Sequence, residues 1–301
     1  VKILITGGTG LVGSRLTEIL QAKGHQISYL SRSSKPIPNV KVYLWNVEKG
    51  IIDKEAIAQA DAIIHLAGAG VADKAWTDSY KKELYDSRIL ATKLLYETMK
   101  DTKNSVQFFL QASAIGIYGL DTKEKILNEE ADFGTDFLAT LTQDWEKEAE
   151  YIIKLGIRTV IMRIGIVLSN KGGALQKLSM PIKLFAGAAI GTGNQYLSWI
   201  HIDDLCKMFV ESIENKAMQG NFNAVAPNPI TNAQMTQAIA KRLEKPLWLP
   251  NVPAFVLKMG MGEMAGIVLG GNRVSAQKIL ATGFQFQFPT IENALKNLLK
   301  N

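Results

Sequence analysis

Short, near-continuous apolar runs alternate with longer amphipathic stretches through the first two-thirds of the chain. Ile3-Leu4-Ile5 forms the first run. Leu16, Ile19 and Leu20 then recur at helical spacing up to Gly24, and a second run follows from Ile27 to Leu30. Apolar runs without alternation mark strands covered on both faces, and the 3.6-residue period marks the helices that cover them. This pattern predicts strands at 2–6, 26–31, 40–45, 62–66, 107–112 and 158–164. It predicts helices at about 10–23, 51–59, 78–99 and 137–155. Strand–helix alternation with right-handed crossovers gives an α/β protein with a doubly wound parallel sheet. After Leu168 the texture changes. Residues 169–196 are rich in Gly, Ala and Lys and read as a long connection. Residues 198–214 read as a strand turning into a helix, and 220–224 as a further strand. From Pro227 the chain reads as a smaller, mainly helical C-terminal lobe punctuated by prolines. The predicted division is therefore 1–168, joined again by about 197–225, against 169–196 with 226–301.

The first turn carries the most specific chemistry. Three glycines stand at Gly7-x-x-Gly10-x-x-Gly13, between a strand and a helix and ahead of a second strand. Gly7 permits the tight turn, Gly10 lets a pyrophosphate approach the backbone, and Gly13 lets the helix pack close to the strand. The helix start, with Thr9, Leu11 and Val12 around it, offers free N–H groups and a positive dipole end to phosphate. A dinucleotide is the expected cofactor. An acid at the end of the second strand binds the ribose hydroxyl of NAD, whereas an arginine there accommodates the 2′-phosphate of NADP. Here that strand ends Ser31-Arg32-Ser33. NADP(H) is therefore expected over NAD, with Ser31 and Arg32 as donors; the alternative is that Arg32 is a surface loop residue. Asn46, after the third strand, is either an adenine-edge contact or a turn residue.

Composition narrows the partners. The formal net charge is +6, but the lysines and arginines are scattered without a dense basic run, so no nucleic-acid partner is expected. Cys206 is the single cysteine and His25, His65 and His201 are the only histidines, a poor basis for a metal site. The most apolar late stretch, 252–269, is broken by glycines and carries Lys258 and Glu263, so no membrane span is expected. The N-terminus enters a strand directly, which with the lone cysteine points to a cytoplasmic protein.

The stretches Ile64-His65-Leu66-Ala67-Gly68, Ile117-Tyr118-Gly119 and Trp199-Ile200-His201-Ile202-Asp203-Asp204, added to the glycine motif, resemble the extended short-chain dehydrogenase/reductase superfamily. Ser87-Arg88, Ala112-Ser113-Ala114, Asp144-Trp145-Glu146 and Gly271-Asn272-Arg273-Val274 are similar to its bacterial epimerase-family branch, which has its own C-terminal helical domain. The resemblance spans almost the whole chain. It implies a Rossmann fold, an epimerase- or dehydratase-like oxidoreductase, and cofactor contacts at Leu66, Ala67, Gly68, Ala112 and Ser113. His65 and His201 are expected to be structural. The superfamily's working residues are a Ser or Thr after the fifth strand and a Tyr-x-x-x-Lys on the next helix. Counted back from Glu146, the tyrosine position falls on Leu138 and the lysine position on Thr142. Ala114 takes the serine position in ungapped alignment, and Arg88 stands where asparagine is usual. Ser113 and Tyr118 remain as catalytic candidates, Tyr118 with the competing reading of a structural tyrosine. Trp76, Arg88, Trp199 and Arg273 are placed around a substrate pocket, which suggests a small anionic or planar molecule. Two functions stay open: an NADP-dependent enzyme with a non-standard proton donor, or a non-catalytic NADP-binding sensor or scaffold. Dimers of the superfamily pair through the two long helices, so a monomer or a homodimer is expected.

Overall fold

The structure is a computed structural model and describes residues 1–299. The chain divides into two compact units. Unit 1 comprises Val1–Ser113, Leu141–Met162 and Cys206–Asn221; unit 2 comprises Ala114–Thr140, Arg163–Leu205 and the chain from Phe222 onward.

The main sheet is built from β1 (Lys2–Thr6), β2 (Gln26–Ser31), β3 (Lys41–Asn46), β4 (Ile51–Ile52), β5 (Ala62–His65), β6 (Phe108–Ala114), β7 (Arg158–Ile164) and β8 (Gly220–Ala224). Their spatial order is β8-β7-β6-β5-β1-β2-β3-β4. The pairs β1–β2, β2–β3, β1–β5 and β5–β6 are parallel, with Ile3 opposite Ile27 and Ile5 opposite Ile64. The principal helices are α1 (Leu11–Ala22), α2 (Lys54–Ala58), α3 (Asp78–Asp101), α4 (Phe137–Ile153), α5 (Ala174–Lys183) and α6 (Ile202–Glu214). Leu4, Leu30, Ile63 and Phe109 of the sheet pack with Ala91 and Leu95 of α3 and Ile152 of α4 in a buried core. Apolar runs without alternation become these doubly covered strands.

Two predicted segments come out differently. A single helix over 51–59 is replaced by β4, paired antiparallel to the end of β3, and the short α2. Ile51 and Ile52 are β-branched and favour the strand, and Asp53 starts the helix by accepting the Glu55 N–H. The predicted connection over 169–196 contains α5, which starts after Gly173 and holds Pro181 within it. In unit 1, Arg158 closes the end of α6. Its guanidinium donates to the carbonyls of Ser212 and Met218 at 2.9 and 2.8 Å, supplying a cation where the helix leaves free C=O groups.

Unit 2 has its own core. Leu168, Leu175, Leu197, Trp199, Met235, Ile239 and Leu295 pack together, with α7 (Asn232–Arg242) and the terminal helix Ile291–Leu298 contributing. The Asp204 carboxylate is buried and accepts the N–H groups of Gln287 and Phe288 at 2.8 and 2.9 Å, tying the C-terminal segment down. His201 accepts the Asp203 N–H on Nδ1 at 3.0 Å. Its proton therefore sits on Nε2, facing Asn297 Oδ1 at 3.1 Å, and the ring stacks on Phe288. Asp204 and the motif histidine after Trp199 thus hold a structural corner, as a structural His201 requires. Among the described residues, no helix is long and apolar enough to cross a membrane.

Candidate nucleotide site

The glycine turn between β1 and α1 has the geometry its spacing predicts. Gly7 sits at φ +69°, and a Cβ there would lie 2.9 Å from the backbone of Leu66 and Ala67. Gly10 N–H closes the turn onto the Gly7 carbonyl at 3.0 Å. Gly13 presses the helix onto the turn: a Cβ there would lie 2.4 Å from the Gly7 oxygen. Gly10 caps α1 without a side-chain hydrogen bond, and the first turn carries no acid. The N–H groups of that turn are therefore left for an anion.

A cavity of about 870 Å³ opens above this turn, wholly within unit 1. Its volume falls within the roughly 300–1,000 Å³ of small-molecule sites. Gly7, Thr9 and Gly10 line it, as do Ser31 and Arg32 at the end of β2 and Asn46 at the end of β3. Leu66, Ala67 and Gly68 after β5 line the opposite side. Nine of the sequence-predicted cofactor residues thus come together around one space. Leu11, Val12, Gly13, Ala112 and Ser113 do not line it. Gly13 shapes it from behind, and Ala112 and Ser113 are buried in β6. Arg32 is exposed. Asn46 Oδ1 accepts the Lys49 N–H at 3.0 Å, so the side chain holds a turn while bordering the cavity.

The loop after β5 is held from five directions. Thr6 Oγ1 accepts the N–H groups of Leu66 and Ala67, each at 3.1 Å. Its own proton is then left for His65 Nδ1 at 2.7 Å, and the neutral imidazole donates from Nε2 to Thr92 Oγ1 at 3.1 Å. Thr92 donates onward to the Arg88 carbonyl and accepts the Trp145 indole N–H. Burial first, and the nearby Arg88 charge second, lower the His65 pKa from 6.5 to about 3. Further along, Ser87 Oγ accepts the Ala69 N–H at 3.0 Å while Arg88 Nη2 donates to the Ala69 carbonyl at 2.9 Å. Tyr80 donates to the Gly70 carbonyl at 2.6 Å and Trp76 to the Val71 carbonyl at 2.8 Å. Ser87 and Tyr80 also line the cavity, as do Tyr29, Val47 and Leu90. None of these was placed at the site from sequence, although Ser87 belongs to the Ser87-Arg88 stretch that carries the family resemblance. The Tyr29 ring underlies Gly8, where a Cβ would lie 2.4 Å from it.

The remaining predicted site residues are distributed otherwise. Trp76 and Arg88 brace the loop from behind and do not line the cavity. Trp199 is corrected from a pocket residue to a core residue. It is 0% exposed in unit 2, with its indole N–H donated to the Asn228 carbonyl. Arg273, also in unit 2, lies over the Tyr196 ring at 4.9 Å. Ser113 is buried, and its hydroxyl donates to Glu146 Oε1 at 2.5 Å. Gln111, two residues earlier on the same strand face, donates to the Trp145 carbonyl of the same helix. Tyr118, in unit 2, donates to Asn223 Oδ1 at 2.7 Å and accepts from Arg163 Nη1 at 3.0 Å. Thr142 is buried in unit 1, and Leu138 is half-buried in unit 2. Among the described residues, no three His, Cys, Asp or Glu side chains group as metal ligands.

The model of the NAD dependent epimerase/dehydratase family matches residues 3–225, and that of a domain of unknown function, DUF1731, matches residues 252–298. Epimerase family protein YfhF of Bacillus subtilis (strain 168) is 36% identical over 300 residues, covering 99% of this chain and 98% of that protein. The crystal structure of human epimerase family protein SDR39U1 (isoform 2) with NADPH aligns over 99% of both chains, at a TM-score of 0.87 and 29% identity. The nucleoside-diphosphate sugar epimerase of Corynebacterium glutamicum aligns over 99% of this chain and 58% of its own, at a TM-score of 0.80 and 33% identity.

Proposed function

The chain belongs to the NAD dependent epimerase/dehydratase family, and from that premise we propose that it is an NADPH-dependent oxidoreductase or epimerase-like enzyme acting on a small anionic or planar molecule. The observation that carries the cofactor assignment is the composition of one cavity. A glycine turn with an uncapped helix start borders it, and the end of β2 presents Ser31 and the exposed guanidinium of Arg32 in place of an acid. In this proposal the first turn of α1 would take the pyrophosphate, with Gly7, Thr9 and Gly10 bordering it. Arg32 and Ser31 would take the 2′-phosphate, two of whose oxygens the planar guanidinium fork can bind together as a lysine could not. Asn46 meets the adenine edge, and the Leu66-Ala67-Gly68 backbone runs beside the rest. The NADPH recorded with human SDR39U1 supports this choice over NAD.

Bound NADPH would supply a hydride. The protein's part is to bind, orient and provide a proton, and there its equipment is unusual. Leu138 and Thr142 take the tyrosine and lysine positions, Ser113 is bonded to a buried carboxylate, and the Tyr118 hydroxyl is already shared between Asn223 and Arg163. A proton supplied by water or by the substrate itself is consistent with that arrangement. The same two engaged hydroxyls favour, as a second reading, a non-catalytic NADPH-binding sensor.

Calorimetric titration of NADPH and NADH into the wild type and Arg32→Ala tests the cofactor assignment. Loss of a hydrogen-bonded charge pair is expected to cost NADPH about 1.5–3 kcal/mol, roughly ten- to hundredfold in Kd, and NADH almost nothing. Equal affinity of the wild type for the two nucleotides would overturn it.

A further inference from the structure

We infer that Arg88 biases the nucleotide site toward the reduced cofactor, so that NADPH binds more tightly than NADP+. This rests on the NADPH assignment above. The strand order fixes the orientation. β2 and β5 flank β1 on opposite sides, so Arg32 and the Leu66–Gly70 loop lie on opposite sides of the glycine turn. A dinucleotide with its 2′-phosphate at Arg32 and its pyrophosphate on the turn extends its nicotinamide half toward the β5 side.

On that side Arg88 is a cation with no counter-ion among the described residues. Its guanidinium donates to two neutral acceptors, the carbonyls of Leu84 and Ala69, at 3.0 and 2.9 Å, and packs over the Trp145 ring. Its Cζ lies 3.2 Å from where a Cβ of Gly68 would be, so it rests directly behind a residue that lines the cavity. No carboxylate pairs with it among the described residues. Burial lowers its pKa to about 10, which leaves it charged at neutral pH. The same charge, second to burial, lowers the His65 pKa. The other charges lining this side of the cavity offset one another or lie in solvent, and the buried Glu146 carboxylate of α4 does not line it and is held by the Ser113 hydroxyl. Lys74 pairs with Glu83, Lys82 pairs with Asp86, and Asp73 is exposed. Water and salt screen those groups far more than they screen a guanidinium held against the protein interior.

The two forms of the cofactor share their phosphates and adenosine and differ by one positive charge on the nicotinamide ring. A fixed unit charge behind that half of the site therefore disfavours the oxidised form alone. For separations of some ~10 Å at an effective dielectric constant of about 20, the bias is about tenfold.

The test is the ratio of Kd for NADP+ to Kd for NADPH, measured by calorimetry at low salt on the full chain. The wild type is expected to show a ratio of about ten. Arg88→Met is expected to bring it near one, and Arg88→Lys, which keeps the charge, to retain most of it. Ser87→Ala releases the same loop at the Ala69 N–H without changing charge, so it is expected to weaken both forms together and leave the ratio unchanged. A wild-type ratio near one with tight binding of both forms overturns this inference alone, and requires no variant to fold. An unchanged ratio in folded Arg88→Met overturns it too. Failure of the wild type to bind either form overturns the NADPH assignment, and this inference with it.

Discussion

His65 makes the unit-1 loop scaffold acid-sensitive by an amount that can be worked from its surroundings. The ring is fully buried, accepts the Thr6 hydroxyl proton on Nδ1 and donates from Nε2 to Thr92, so no acceptor is left for a second ring proton. Its pKa falls from 6.5 to about 3 in the folded chain. With the folded value depressed, the unfolded chain takes up the proton first. Stability is then fully present above about pH 6.5 and declines as pH falls toward about 3, where the folded form protonates as well. Each pH unit in that window is worth about 1.4 kcal/mol, so roughly 2–3 kcal/mol is lost between pH 6.5 and 4.5 from this residue alone. Urea unfolding of the wild type and His65→Asn at pH 7.5, 6.0 and 4.5 isolates the term. The asparagine variant is expected to be less stable at pH 7.5 but to lose less on acidification. With a urea slope near ~3 kcal/mol/M, the wild type's midpoint should move about 1 M further than the variant's. His25 and His201 are present in both proteins and cancel in the difference. Identical pH dependence in the two would refute the buried neutral histidine.

Two further perturbations separate shaping from contact. Gly13→Ala drives a methyl into the Gly7 carbonyl at 2.4 Å and is expected to cost about 1–3 kcal/mol by thermal or urea unfolding. Gly10→Ala meets nothing nearer than 3.2 Å, so it is expected to spare the fold and weaken nucleotide binding instead. Ser113→Ala removes a hydrogen bond to a buried carboxylate and is expected to destabilise the chain by roughly 1.5–3 kcal/mol with NADPH affinity retained; an unchanged unfolding midpoint would contradict it.

Much of the nucleotide half could be read from sequence because its signals are local. The three glycines act on each other within one turn, and Arg32 follows its strand directly, so spacing alone put Gly7, Gly10 and Arg32 at the cavity and Gly13 behind it. On the other wall the resemblance supplied Leu66, Ala67 and Gly68, but the bracing behind them escaped because it is assembled over long separations. Ser87, Arg88 and Tyr80 reach back from α3 to carbonyls and N–H groups of the loop after β5, and Thr6 reaches across from β1. Amphipathic periodicity says which face of α3 is apolar and nothing about which polar tips bond a loop nearly twenty residues away. Ser113 shows the limit of motif transfer. Strand alternation sends its hydroxyl to α4 together with Gln111, a facing that ungapped alignment cannot give. Trp199 shows another. An indole with a polar tip suits a pocket rim and a core equally, and here the Asn228 carbonyl satisfies the tip within the core. The helix α5 was hidden by Gly173 at its start and Pro181 inside it, residues that ordinarily argue for a loop.

Tyr118 is where structure and chemistry are separable by one substitution. A catalytic tyrosine exchanges its proton near neutral pH and therefore needs a lowered pKa. Here burial is the largest influence and raises it, with Arg163 and the hydrogen bonds pulling the other way. The phenol is also a link in a chain. Asn223 accepts its proton through Oδ1, Arg163 donates to its oxygen and to the Glu129 carbonyl, and the Asn223 N–H returns to the Glu129 carboxylate at 2.7 Å. Arg163 is only 1% exposed, so each of these partners is one it cannot replace with water. Tyr118→Phe keeps the ring and its contact with the guanidinium but strips one acceptor from Arg163 and one donor from Asn223. The expected cost is about 2–4 kcal/mol of stability, since both groups are left short of a partner in the interior. NADPH affinity should be unchanged, because every residue of the nucleotide cavity belongs to unit 1 and Tyr118 to unit 2. A proton donor would behave in the opposite way: Tyr118→Phe would unfold at the wild-type midpoint and lose turnover with a substrate by about 10²–10⁴-fold. Unfolding midpoints and nucleotide titrations on this one variant decide between a strut and an acid, and an unshifted midpoint would remove the strut.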